Sequence, residues 1–240
     1  VEFGSPEQVR VATYNIHRCR GMDGQTRPER IAEVLQTTGA DVIALQEVIG
    51  AGHGHGGQAE AIGAALGMGW VMATTRLHRG YLFGNVILSR FPISNHAQYD
   101  LTWRQCEPRC CQRADVQIGP RRLHLFNVHL GTALLERRYQ APRLQAYLKH
   151  QRSAGPKVVL GDFNEWLTGP TKLLGETMES VDLRKFLKRR RTYPGMFPVL
   201  HLDHIYHAGP VEVVGVELPR TRLTLVASDH LPLVAELAFT

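Results

Sequence analysis

Lys157-Val158-Val159-Leu160-Gly161-Asp162-Phe163-Asn164-Glu165 is the stretch whose reading decides the fold. Val158, Val159 and Leu160 form a short, apolar, β-branched-rich run of the kind that makes a strand buried on both faces. Gly161 lets the backbone turn without a Cβ penalty, so Asp162 and Asn164 emerge at the strand end, two residues apart and facing the same way. Taken alone, the segment favours an Asx-type turn capping a helix that starts near Glu165, because Asp and Asn are ordinary turn formers. The rest of the chain reverses that balance.

Working outward, strand after strand ends on a side chain capable of chemistry. Val9 to Ile16 alternates and closes on Asn15-Ile16-His17, delivering Asn15 to a carboxyl end. Pro28-Glu29-Arg30 opens a helix whose Ile31, Val34 and Leu35 share one face, and Gly39 closes it. Asp41 to Val48 is a second buried strand, which reaches Gln46 and Glu47. Gly50 to Gly57 is a glycine-rich loop in which His53 and His55 are expected as surface histidines, not as a zinc pair. Gln58 to Leu66 reads as helix, and Trp70 to Ala73, Gly80 to Leu88 and Arg113 to Ile118 as strands; Tyr99 to Cys111 reads as irregular. Leu123 to Leu130 is a strand with His129 near its end, and Glu136 to Lys149 is a helix with Leu144 and Leu148 on one face.

Asp182 to Arg191 carries Arg184, Lys185, Lys188, Arg189, Arg190 and Arg191, which suit a solvated helix face or a phosphate-contacting patch. Leu202 to Tyr206 is a strand carrying Asp203, and Val211 to Val216 is another. Val226 then leads through Asp229-His230 into a last strand, Leu233 to Phe239.

Composition narrows the class. The 240 residues are 43% hydrophobic and 21% charged, and no linker divides them, so one α/β domain over residues 9–240 is expected. Residues 1–8, where Glu2-Phe3-Gly4-Ser5 looks like a cloning remnant, are expected to be disordered. No apolar run of about 18 residues and no signal pattern is present, so a soluble protein is expected, cytoplasmic or exported with its signal removed. The net charge of +6 favours a polyanionic partner, nucleic acid or an acidic lipid surface. The four cysteines, Cys19, Cys106, Cys110 and Cys111, lack Cys-x-x-Cys spacing and are expected as free thiols, with a Cys106 bridge as the alternative in an exported protein. A monomer with no obligate protein partner is expected.

Together Asn15, Glu47, His129, Asp162, Asn164, Asp203, Asp229 and His230 supply carboxylates for a hard divalent cation, two imidazoles for proton transfer, and amides that can donate to a phosphoryl oxygen. Oxygen-rich ligands point to Mg2+ or Mn2+ over zinc.

Thr13-Tyr14-Asn15-Ile16-His17, Leu45-Gln46-Glu47-Val48, Gly84-Asn85-Val86-Ile87-Leu88-Ser89-Arg90, Asn127-Val128-His129-Leu130, Gly161-Asp162-Phe163-Asn164, Leu202-Asp203-His204-Ile205 and Ser228-Asp229-His230-Leu231-Pro232-Leu233 follow one another in this order. That series resembles the endonuclease/exonuclease/phosphatase superfamily of metal-dependent phosphoesterases, which includes pancreatic-type deoxyribonuclease, abasic-site endonucleases and neutral sphingomyelinases. The resemblance spans residues 9–238. It implies a four-layer α/β/β/α sandwich of two packed mixed β-sheets with the site at one edge.

It further implies that Glu47 is the main metal ligand, with Asn15 and Asp229 completing or flanking the site. His230 would be the catalytic histidine oriented by Asp203, Asp162 would handle the nucleophilic water, Asn164 would hold a nonbridging phosphate oxygen, and His129 would donate to the phosphate or leaving group. Both Asp162 and His230 could activate the water, and His230 paired with Asp203 as one unit is expected to do so, with Asp162 acting on the same water. Glu107-Pro108-Arg109 resembles a segment next to the phosphate, which makes Arg109 a substrate-binding candidate. His17 and His204 read as packing residues or as groups that back the site residues, and Asn85 as a turn residue or as one that positions a neighbouring ligand.

The implied function is metal-dependent hydrolysis of a phosphodiester. Nonspecific cleavage of DNA is the expected activity, supported by the basic run and by Arg104, Arg113, Arg121 and Arg122. A lipid-headgroup phosphodiesterase or phosphatase is the alternative, for which Tyr193, Met196, Phe197 and Pro198 beside the basic run would suit a membrane surface. Core packing under a loop is the expected role of that cluster.

Overall fold

The computed structural model describes residues 7–151, 154–165 and 169–240. Its strands in chain order are β1 (Gln8–Asn15), β2 (Val42–Gly52), β3 (Gly69–His78), β4 (Tyr81–Ser89), β5 (Ile93–Asp100), β6 (Cys110–Ile118), β7 (Arg121–His129), β8 (Lys157–Asp162), β9 (Glu179–Ser180), β10 (Asp203–Ala208), β11 (Val211–Glu217) and β12 (Leu233–Phe239). The helices are α1 (Pro28–Thr38), α2 (Gln58–Leu66), α3 (Leu134–His150) and α4 (Arg222–Ala227).

One six-stranded sheet runs β11-β12-β1-β2-β4-β3 and the other β5-β6-β7-β8-β10-β9. Each has a central parallel pair, β1 with β2 and β7 with β8, among otherwise antiparallel neighbours. Both sheets are therefore mixed.

Period-two alternation sorts the side chains into layers. Val9, Val11, Val42 and Ala44 of the first sheet face Leu123, Leu125, Val158 and Leu160 of the second. On the first sheet's outer face, Ala12, Tyr14, Ile43 and Leu45 pack against Ile31, Val34 and Leu35 of α1 and Ile62 of α2. On the second sheet's outer face, Phe126, Val128 and Val159 pack against Leu144 and Leu148 of α3. The order is helix, sheet, sheet, helix, the sandwich that the resemblance implies.

The inward stripe turns polar at one end of both sheets. After Val9 and Val11 come Thr13 and Asn15; after Val42 and Ala44 comes Gln46. Asn127 and His129 likewise follow Leu123 and Leu125, and Asp162 follows Val158 and Leu160. Gln46 Nε2 donates across the sandwich to Asn127 Oδ1 (2.8 Å), and Asn127 Nδ2 donates to the carbonyls of Leu45 and Val86, both at 3.0 Å. Those carbonyls lie where the register of β2 against β4 shifts, between Leu45 and Val48. Amides of one sheet thus satisfy backbone that the other leaves free.

Several sequence expectations are corrected. The passage before Cys110 contains β5, whose polar sequence Ile-Ser-Asn-His-Ala-Gln-Tyr-Asp hides the strand because it lies at a sheet edge and stays largely exposed. β2 runs on to Gly52, so the glycine-rich loop is shorter than expected. The basic run forms no α-helix; only Leu183–Lys185 makes a 3-10 turn. α4 went unread although Thr221 caps it through a reciprocal bond with Thr224. β1 starts at Gln8, and Glu7 accepts a hydrogen bond from Phe239, so the ordered chain begins before residue 9, while residues 1–6 lie outside the described residues. The helix considered near Glu165 falls on residues 166–168, which also lie outside them. All four cysteines are free thiols. Met196 and Phe197 are exposed, not packed under a loop.

At the end away from the polar stripe, buried Asp115 accepts from Arg113 Nε (2.8 Å) and Nη2 (2.9 Å), and His124 Nδ1 lies 2.7 Å from it. Burial alone would raise its pKa, but the bonds from Arg113, His124 and Asn95 outweigh burial and hold it below the usual carboxylate range. Asp115→Asn is expected to destabilise the fold by about 3 kcal/mol near neutral pH, read from urea unfolding, because a neutral amide cannot replace both charge-assisted bonds that Arg113 makes to Asp115. A depressed folded pKa means that the unfolded chain takes up the proton first on acidification. The gap between variant and parent should therefore persist above about pH 4 and narrow below it.

Candidate active site

The two parallel pairs bring their carboxyl ends to one edge, and their last side chains meet. Asp162 Oδ2, fully enclosed, accepts from Asn15 Nδ2 at 3.0 Å and lies 3.5 Å from His129 Nε2 and 3.6 Å from His230 Nε2. Its other oxygen accepts from the backbone N–H of Asn164 at 2.9 Å, which is the Asx turn read from the sequence. The turn and the site are the same object. Asn164 itself sits at φ +50° and donates Nδ2 to the Leu130 carbonyl at 2.9 Å, which leaves its second amide hydrogen for another acceptor.

Asp203 opens β10 and His230 precedes β12, so antiparallel strands supply these two from the same edge. His230 Nδ1 lies 2.9 Å from Asp203 Oδ2, which fixes the ring with Nε2 towards Asp162. Burial opposes the imidazolium, but the charges of Asp203 and Asp162 prevail and push His230 up to about 10. Asp162 is raised to about 6 by burial, with the charge of Asp203 adding to it against the pull of His230. Asp203 Oδ1 is buried with no partner among the described residues.

On the first sheet's side, Glu47 sits at the β2 irregularity with φ +56°. Its Oε1 accepts from Asn15 Nδ2 at 3.4 Å and its Oε2 from Arg18 Nη1 at 3.2 Å. His17, Arg18 and Cys19 run through three consecutive positive φ values, 44°, 57° and 57°, rare for side-chain-bearing residues. That turn places Arg18 against Glu47 and His17 Nδ1 3.8 Å from Asp229 Oδ1. Strain of this kind persists where surrounding structure over-determines it, commonly at functional sites.

Arg109 was expected to bind substrate, but the structure gives it a different place. Its guanidinium is buried, with Nη1 3.0 Å from His129 Nδ1 and Nη2 3.0 Å from Glu107 Oε2. Arginine has only donors, so His129 Nδ1 accepts and the ring proton sits on Nε2, facing Asp162. Burial, reinforced by Arg109 and His230, holds the His129 pKa well below its usual value, so this ring is neutral. Arg109 thus sits directly behind His129.

The family model described as Endonuclease/Exonuclease/phosphatase family matches residues 12–230. The chain belongs to this family. It is 28% identical over 247 residues to the uncharacterized protein YbhP of Escherichia coli, covering 95% of each chain. Among solved structures, it resembles a mannosyl-6-phosphatase of Bacteroides thetaiotaomicron with 19% identity and a TM-score of 0.78, covering 96% of this chain and 100% of that one. It also resembles a truncated TDP2 of Caenorhabditis elegans with 18% identity and a TM-score of 0.75, covering 97% and 98%. These two likenesses show the fold.

Endonuclease/exonuclease/phosphatase members hydrolyse phosphoesters and are generally dependent on a divalent metal. Asp162, Asp203 and His230 place ligand-capable atoms within 4.8 Å of one another. His230 and Asp203 are already joined there, however, and an ion between them would have to part them. Glu47 and Asp229 are more open to solvent and, with the Asn15 amide, offer oxygen only. Four carboxylates, Glu47, Asp162, Asp203 and Asp229, face two cations, Arg18 and His230, so a divalent ion fits the local charge as well as the donor chemistry.

Gln46 and Asn127 stand next to motif residues and lock the sheets together, yet the sequence reading passed over both. The signal was present, since an amide inside an otherwise apolar stripe needs a partner. Of the two roles open to His17, packing or backing a site residue, its place beside Asp229 matches the second. Arg109→Met is expected to free the His129 tautomer and lower kcat about 10- to 100-fold with a smaller change in KM. The imidazole nitrogen shifts of His129 check the cause, since the variant should show mixed protonation where the parent shows Nε2–H alone.

Proposed function

We propose that this chain is a phosphodiesterase dependent on Mg2+ or Mn2+. The observation that carries this reading is the convergence of Asn15, His129 and His230 on the single buried carboxylate of Asp162. A water lodged against Asp162 has a proton acceptor on one side and the His230 imidazole on the other. Asp203 holds that imidazole in place, and His129, with its proton on Nε2, is set to donate to a phosphoryl oxygen or a leaving oxygen. The second amide hydrogen of Asn164 serves the same charge. Donors fixed before the reaction stabilise negative charge that grows only in the transition state. Glu47, Asn15 and Asp229 would hold the metal, which when bound supplies charge neutralisation at phosphoryl oxygens.

DNA cut without sequence preference keeps the basic run and the exposed Arg104 as supports and loses three other arginines. The basic run adjoins the site, since Tyr193 lies 5.0 Å from the His230 ring and Thr192 accepts from the backbone of Leu231. Arg113, in contrast, is bound to Asp115, and Arg121 and Arg122 begin β7 whereas the site lies at its end. The exposed apolar residues beside the basic run favour the second reading, a lipid-headgroup phosphodiester. The mannosyl-6-phosphatase neighbour adds phosphomonoesters to the substrates worth assaying.

Purified protein is expected to hydrolyse bis-para-nitrophenyl phosphate with Mg2+ or Mn2+, to stop with EDTA, and to lose about a hundredfold or more of its rate in His230→Ala. Supercoiled plasmid, phospholipid and sugar phosphate assayed alongside assign the substrate. Parent-like turnover in His230→Ala, or no metal-dependent turnover of any phosphodiester, would remove the proposal.

A further inference from the structure

From the geometry of the lip beside His230, we infer that this protein docks its active-site edge onto an anionic lipid bilayer. Residues 188–201 run past the catalytic edge, and the backbone of Gly195 donates to Asp229 while Tyr193 packs on His230. Behind that contact the segment opens a solvent-facing cavity of about 890 Å³, lined by both cations and apolar side chains. Lys188, Arg189, Arg190 and Arg191 are exposed, and Arg220 joins them through a bond to the Arg191 carbonyl. None of the five has a carboxylate partner among the described residues. Burial, together with the charge of Arg189, lowers the Arg220 pKa, as expected where like charges crowd without an anion.

Met196, Phe197 and Val199 line the same cavity, and Phe197 is 74% exposed. A short loop that presents such residues to water, edged by unpaired cations, matches a surface that inserts apolar tips between acidic headgroups. The same character recurs around the mouth. Leu134 and Leu135 begin α3, just after the Leu130 carbonyl that holds Asn164, and Leu135 is 61% exposed.

Two other occupants fit less well. A single-stranded nucleic acid would use planar rings for its bases, and Met196 and Val199, which flank Phe197, are aliphatic. A second copy of the chain would bring two unpaired cationic runs together. Docking would set the cleft at headgroup depth, so a lipid phosphodiester would reach Asp162 without leaving the bilayer. That consequence rests on the phosphodiesterase reading; docking itself does not.

The test is cosedimentation of the full chain with vesicles of phosphatidylcholine, with and without phosphatidylglycerol, read without turnover and therefore independent of whether any phosphodiester is hydrolysed. Binding is expected only with phosphatidylglycerol, weakening with salt and by about fivefold for each cation removed in Arg189→Gln and Arg190→Gln. Phe197→Ser with Met196→Ser should lower it further while the melting temperature stays that of the parent. Equal binding to both vesicles, no binding, or binding indifferent to Phe197→Ser would overturn the inference. So would a single-stranded oligonucleotide bound through Phe197 in place of vesicles, or self-association that Phe197→Ser abolishes.

Discussion

A carboxylate sealed between two sheets governs this molecule. Asp162 ends a strand of one sheet, takes an amide hydrogen bond from Asn15 of the other, and stands within 3.6 Å of both His129 and His230. A charge in that position is tolerable only if every neighbour is held in register, because an unpaired buried carboxylate is costly. The apolar interior supplies that rigidity. Leu160 and Leu125 below the site pack with Val11 and Ala44, so the strands cannot slide by one residue without turning their core side chains to the wrong face.

The same constraint explains the amides beneath the site. Gln46 and Asn127 tie the sheets where β2 loses register with β4, and the irregularity lets Glu47 adopt its positive φ and turn towards Asn15. The left-handed turn of His17 to Cys19 adds a second strained segment on the same edge, and it presents Arg18 to Glu47 and His17 to Asp229. A rigid, well-packed sandwich can sustain local strain of this sort, and the strain lies where charged side chains must be aimed.

Around the centre, groups that touch no reacting atom set the state of those that would. Arg109 fixes the His129 tautomer and, added to burial, keeps that ring neutral, while Asp203 keeps the His230 ring charged. Two imidazoles on one carboxylate thus differ in charge because one is backed by a guanidinium and the other by a carboxylate. Beyond them the edge changes character again, to exposed apolar side chains and unneutralised cations, which concerns what the edge meets and not what it does chemically.

The family was legible in the sequence, because motif residues at strand ends are local patterns that the chain carries in order from Asn15 to His230, and the sandwich class followed from that resemblance. The sequence also marked Asp162, Asp203 and His230, which depend on the strand each one ends or precedes. Only the tertiary structure decided what Arg109 faces, that His17 adjoins Asp229, and that Gln46 meets Asn127, since each is a contact between segments far apart in the chain. Only it decided that Met196 and Phe197 are exposed, because an apolar loop reads the same whether something covers it or not. β5 escaped for a related reason: a strand at a sheet edge needs no apolar pattern, and its identity comes from the backbone of β6 beside it.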